Sequence, residues 1–190
     1  MRHLFGKRNF PFLLLLMTAL SFSASAQNIS GDDIKAQFVK DWERSKAYTL
    51  EYLNAMPADK YSFKAVDSIR SFAQQMLHLA MGNNGLINAA TGAPVPGATP
   101  GQRPRNLEAA PGAQSKDSVV YFVTASYDYA INSIKAFDAS KLGEVTGNGP
   151  RQATRFAWLN KAFEHQAHTL GQTTIYIRLE GIRPPGEKLF

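Results

Sequence analysis

The sequence contains no cysteine. That absence removes disulfides, thiolate nucleophiles, redox CxxC chemistry and cysteine-ligated zinc from the chain's own repertoire. It also rules out a lipid anchor attached at a lipobox cysteine. Histidine is scarce, with four residues in all, and tryptophan scarcer, with two. Charged residues make up only 19% of the chain, and no block of lysine and arginine interrupts it. Nothing in that pattern supports nucleic-acid binding, which needs a concentrated basic surface.

The N-terminus carries a targeting pattern. Arg2, Lys7 and Arg8 precede an apolar run over residues 10–20, and Ala24-Ser25-Ala26 supplies small residues at the −3 and −1 positions. This order predicts a cleavable secretory signal over residues 1–26, with Gln27 as the first mature residue. The run is short for a membrane span of roughly 20 residues. The mature chain is therefore expected to be exported, periplasmic or extracellular, with no stable membrane anchor. The signal holds three of the 21 basic residues and none of the 15 acidic ones, so the precursor's +6 falls to +3. Residues 27–190 are enough for one domain with its own core. Without disulfides, that core must hold the domain together.

Spacings of three and four predict helices. Ile34, Phe38, Trp42, Ser45, Tyr48 and Tyr52 mark a first helix over residues 32–56, closed by Pro57. Ile69, Phe72, Met76, Leu79 and Leu86 mark a second over residues 67–89, with Gly82 and Gly85 weakening its last turns. Residues 91–114 are rich in proline and glycine and lack a period, which reads as one long crossover. Val120, Val123, Tyr127, Ala130, Ile134 and Phe137 mark a third helix over 116–137. A fourth is expected over 151–180, stopped by Gly181 and Pro184-Pro185. No alternating stretch competes as a β-hairpin. The prediction is an all-α four-helix bundle with a long crossover loop between helices 2 and 3.

Three histidines belong to the mature chain. His165 and His168 stand three apart on the fourth helix and His78 lies on the second. Residues three apart on a helix are surface neighbours, so two imidazoles there and one from a facing helix can address a common point. The competing reading is plain core or surface histidines. Trp42 and Trp158 are expected as core or interface anchors.

The run from His165 to Pro185, with Gly171-Gln172, Tyr176-Ile177-Arg178, Gly181 and Pro184-Pro185, resembles the closing helix of the DinB/YfiT-like family. Its pattern is roughly H-x-x-x-H-x-G-Q, then an apolar YLR-x-x-G and two prolines. Residues 56–63 resemble the family's loop after helix 1, and residues 71–80 its second helix. The likeness spans the mature chain.

That resemblance implies a four-helix bundle, often a homodimer, with a divalent metal, zinc or nickel, on three histidines. Position by position, the first ligand is His78 and the second His165. The third falls on Thr169, a poor ligand beside imidazole. His168 matches a neighbouring histidine carried by many members, and Leu170 stands where an arginine often precedes Gly-Gln. Three outcomes stay open: His168 turns in as a substitute, a water or a carboxylate such as Glu164 or Glu51 fills the place, or the metal is lost. The family's activities imply a thiol-type transferase or isomerase. Export to a thiol-poor compartment makes hydrolysis by a metal-activated water the easier chemistry. The expected function is thus a variant or degenerate metal site acting on an unidentified small-molecule substrate. The alternative is a non-enzymatic bundle for binding or stress response. Gly171 is expected to allow close helix packing, Gln172 to bond either a neighbouring helix or the groups around the ligands, Tyr176 to be core and Arg178 surface.

Overall fold

Three of the four helices begin at a hydroxyl that caps them. In this computed structural model, which describes residues 28–99 and 105–190, the helices are α1 (Gly31–Ala55), α2 (Phe72–Thr91), α3 (Lys116–Ala136) and α4 (Arg155–Leu179). The expected signal peptide lies outside the described residues. Ser71 opens α2 with a capping box: its hydroxyl accepts from the Gln74 N–H, and the Gln74 side chain accepts from the Ser71 N–H. Ser115 and Thr154 cap α3 and α4 in the same way, without the reciprocal bond. Each such cap stabilises its helix by about 1 kcal/mol.

The cap at Ser71 explains where the sequence reading of the second helix fails. That helix starts at Phe72, not at residue 67, because the serine takes the first orphan N–H groups for itself. Ile69 consequently lies outside the apolar stripe, 37% exposed. At the other end α2 runs unbroken through Gly82 and Gly85 and stops at Gly92, whose φ of 76° suits a residue without a Cβ. The fourth helix also starts late. Residues 149–151 form a single 3-10 turn, and Ala153–Thr154 (β2) pairs antiparallel with Val145–Thr146 (β1). This small hairpin corrects the expectation of none; two residues a strand are too few to show alternation. The end of α4 follows the sequence reading. Ile182 N–H bonds Ile177 O and Gly181 N–H bonds Arg178 O, a Schellman closure around Gly181 at φ 72°.

Side-chain partners fix the direction of each helix. Lys116 Nζ at the start of α3 reaches Met56 O just beyond α1, and Lys35 near the start of α1 reaches Phe137 O just after α3. These two helices are antiparallel. Tyr176 near the end of α4 bonds Arg70 O, and Arg155 at its start bonds Ala90 O, so α2 and α4 are antiparallel as well. Asn83 meets Ser126, and Tyr129 meets Ala93, so α2 and α3 run parallel. The order is up-down-down-up. Parallel neighbours cannot be joined by a short turn, so residues 92–115 must travel back along the bundle. The long crossover is the topological consequence.

Within Gly31–Phe190, one compact unit, the core gathers on the inner faces. Trp42 is fully buried and meets Tyr127 and Phe163 edge-to-face, at centroid distances of 5.6 and 6.0 Å. Such pairs are worth about 0.5–1.5 kcal/mol each beyond area burial. Trp158 is half-buried and donates to Thr146 O, tying α4 to the hairpin. Among the described residues no helix is long and apolar enough to cross a membrane.

Candidate metal centre

His78 sits on α2 and His165 on the antiparallel α4, and their rings meet. The two Nε2 atoms stand 3.4 Å apart, with ring centroids 5.1 Å apart and a tilt of 56°. Gly82 makes this approach possible. It lies one turn beyond His78, and a methyl built on it would overlap the His165 imidazole. The helix-weakening glycine of the sequence is thus a seat for a ring.

The His78 ring is held from behind. Its Nδ1 bonds Glu108 Oε1 at 2.8 Å, and Glu108 Oε2 takes Arg70 Nε at 2.6 Å. A neutral His78 therefore donates from Nδ1 and presents the Nε2 lone pair to the gap. Glu108 is itself clamped. Its carbonyl accepts from Gln74 and Gln114, and its N–H donates to Asn106 Oδ1. Burial alone would raise the Glu108 carboxyl, but the hydrogen bonds and charges of Arg70 and His78 outweigh it. They hold the group below the ordinary carboxylate range.

His165 is pushed the other way. Burial first, then the neighbouring His78, His168 and Arg70, lower its pKa below the ordinary histidine value. The ring is neutral at neutral pH, which is the form that binds metals. Its Nδ1 is buried without a hydrogen-bond partner among the described residues.

Two occupants satisfy a gap between imidazole nitrogens: a shared proton or a cation. A 3.4 Å separation is long for an N–H···N bond, whose usual length is about 3.0 Å. Two nitrogens at about 2.0–2.1 Å from one tetrahedral zinc stand about 3.3 Å apart. The spacing fits the second occupant better, and the carboxylate behind His78 is the usual support of a ligating histidine.

The third expected ligand is not brought in. His168 is exposed, and its Nε2 faces Gln172 Nε2 at 3.0 Å, away from the pair. One residue further round the helix, Thr169 is 2% exposed and occupies the inward position. Helix geometry decides this: position 169 follows His165 by four residues on the inner face, while position 168 leans outward. Among the described residues, no three His, Cys, Asp or Glu side chains converge tightly enough to hold a metal. Glu51, one suggested replacement, is paired with Lys188 on the far side of α4's partner α1. Glu164, the other, is exposed. The carboxylate that does approach is Glu108, which sequence reasoning missed. A signal existed, since Glu108 is the only acidic residue between Asp67 and Asp117.

Gln172 bonds across the helix pair to Gln75, the neighbouring-helix bond expected of it, and along its own helix to His168. Gly171 does not serve helix packing; nothing lies within 4 Å of a methyl placed there. Tyr176 is buried and Arg178 exposed, in line with the sequence reading. Beside the pair, a cleft of about 790 Å³ opens between α2 and α4, lined by Arg70, Gln75, Glu108, Gln172 and Tyr176 among others.

The fold and this arrangement can be set against known proteins. The profile of the DinB superfamily matches residues 41–173. The chain belongs to the DinB superfamily. A DinB-like protein from Bacillus cereus ATCC 10987 superposes with a TM-score of 0.65 at 16% identity, covering 80% of this chain and 95% of that one. A DinB-like protein from Bacillus subtilis gives 0.59 at 19% identity, covering 81% and 96%. A conserved protein from Enterococcus faecalis gives 0.58 at 18%, covering 77% and 96%. At these identities the likeness is one of fold. No curated protein matches the chain.

Proposed function

We propose that this DinB-superfamily protein is exported and works as a metal-dependent enzyme on a small molecule. His78 and His165 would hold a divalent ion, zinc or nickel, in a variant two-histidine site. The observation that carries the reading is the 3.4 Å gap between two Nε2 atoms, one backed by a carboxylate and the other kept neutral by burial. Bound there, a divalent ion lowers the pKa of a water or a thiol, so that a nucleophile forms near neutral pH. With two protein ligands instead of three, more of the coordination shell is left to solvent and substrate. Hydrolysis is favoured over thiol transfer if the chain loses residues 1–26 on export, because external compartments hold little free thiol.

The chain's own residues supply orientation. Glu108 fixes the His78 tautomer, and Arg70 fixes Glu108. The Gln75–Gln172 bridge ties α2 to α4 next to the cleft. The missing third ligand favours a second reading, a bundle that binds in this cleft without catalysis. A homodimer is proposed from the family habit alone, and sedimentation would show it.

Metal analysis of untagged protein decides the main reading. Stoichiometric zinc or nickel is expected in the wild type and its loss in His78→Ala and His165→Ala. Absence of bound metal, with no thermal shift on adding zinc or nickel, overturns it. Mass spectrometry of the secreted protein tests export: Gln27 should be its N-terminus, and a retained Met1 rejects cleavage.

A further inference from the structure

We infer that the cleft beside the His78–His165 pair takes a small organic carboxylate with a short hydrocarbon body, anchored by the Arg70 guanidinium. This rests on the pair being the reacting centre, but its test does not.

Among the described residues Arg70 is the only cation lining the cleft, and its side chain is 42% exposed. A guanidinium carries five N–H donors in a rigid fork. One of them, on Nε, is spent on Glu108 Oε2. Among the described residues, no bond from Nη1 or Nη2 is formed. Those two nitrogens make up the edge that matches a carboxylate in two parallel bonds. The arginine is also held in place. Its carbonyl takes the Tyr176 hydroxyl at 2.9 Å, and Glu108 grips its Nε, so little freedom is lost when an anion docks.

The rest of the lining agrees with such a ligand. Glu108 is the only acid there, and both its oxygens are already engaged, one by His78 and one by Arg70. The charges of Glu108 and Arg70 offset one another, so an anion is drawn by the Nη edge of the guanidinium and not by a net positive charge. Ile69 and Ile175 also line the cleft, 37% and 57% exposed. Large aliphatic residues left in solvent beside a lone guanidinium offer a surface for the hydrocarbon part of the acid. The ligand so described is one acid group and a short apolar body. A polyanion would need more cations than the described residues of the lining supply.

The test uses the metal-free full mature protein and butyrate, with butyramide as its uncharged isostere, followed by NMR titration. Butyrate should bind at least about tenfold more tightly than butyramide, the ratio expected of a charge-assisted bidentate contact. Arg70→Gln should weaken butyrate binding by about the same factor. Glu108→Gln separates anchoring from mere structure, because it removes the ion pair but leaves the guanidinium. Its loss of butyrate affinity should stay well below that of Arg70→Gln, because the glutamine amide oxygen can still accept from Arg70 Nε. Equal binding of butyrate and butyramide overturns the inference, as does wild-type affinity in Arg70→Gln. A loss in Glu108→Gln equal to that in Arg70→Gln also overturns it, because the arginine's role would then be structural. Zinc binding is measured separately, so failure of the metal reading and failure of the carboxylate reading give different results.

Discussion

Two polar clusters lie inside this bundle, one on each side of α4, and they are built differently. On the α1 side, Gln166 accepts from the Tyr127 hydroxyl at 2.7 Å and reaches Ser45 Oγ, while Tyr127 meets Thr49 at 2.7 Å. Tyr52 bridges Tyr48 and Thr174 on the same side. The C-terminal tail lies over this face, with Lys188 bonded to both Arg44 and Glu51. On the α2 side, the imidazole pair is joined through Glu108 to the lining of an open cleft, and among the described residues His165 Nδ1 is buried without a partner. The hydroxyls and the amide of the first cluster bond one another within the protein, although the buried Trp42 Nε1 beside Tyr127 has no partner among the described residues. The second joins its two rings by one long Nε2–Nε2 contact and meets the cleft through Glu108. Buried polar groups cost free energy unless paired, and on the α2 side Arg70, Glu108 and Gln172 are within reach of a ligand in the cleft.

That comparison can be broken from either side. The largest effect is expected from Gly82→Ala. The new methyl displaces the His165 ring, so zinc affinity should fall by more than about a hundredfold, beyond the usual cost of a change behind the ligands. Stability should hold or rise, because alanine is the better helix former by about 1 kcal/mol. Calorimetric titration beside thermal unfolding checks both halves; parallel losses in the two would mean that the glycine serves packing alone. Next comes Glu108→Gln, which keeps the shape but loses the carboxylate behind His78. Zinc affinity should drop by about 10–100-fold in the same titration.

Gln166→Leu strikes the other cluster. It leaves the Tyr127 hydroxyl without its acceptor and should cost about 1–3 kcal/mol in urea unfolding. Zinc affinity should not change, and a change would show that the two clusters are coupled. The smallest effect concerns pH. His165 has a folded pKa below its ordinary value of 6.5, so the stability contributed by its neutral ring is complete above pH 6.5. That contribution is lost as pH falls through the depressed folded value. The Tm of the metal-free protein should decline over that window, and His165→Gln should flatten the decline.

The contrast between the clusters was only half legible in the sequence. His78 and His165 stand out as rare residues on amphipathic helices, and the likeness to the DinB/YfiT-like family put them at ligand positions. Gln166, Tyr127 and Thr49 looked like ordinary helix residues, because nothing in spacing reveals a hydrogen bond between helices. His168 looked as promising as His165 on the chain, since i and i+3 are both surface neighbours. The inner face of α4 took Thr169 instead. Gly82 read as a weak point in α2 and turned out to face the His165 ring. Glu108 sat unmarked in a proline-rich loop, visible only as a lone acid.

Period and punctuation determined the helices, because amphipathic spacing and proline or glycine stops act within a few residues. The late starts of α2 and α4 belong to the same local physics, read too generously. Which side chains meet was decided by the tertiary structure alone. Parallel packing of α2 and α3 obliges the chain to run back along the bundle, and that return brings Glu108 to His78 across 30 residues of sequence. Contacts of that kind depend on how helices are ordered around the core, and no local pattern encodes that order.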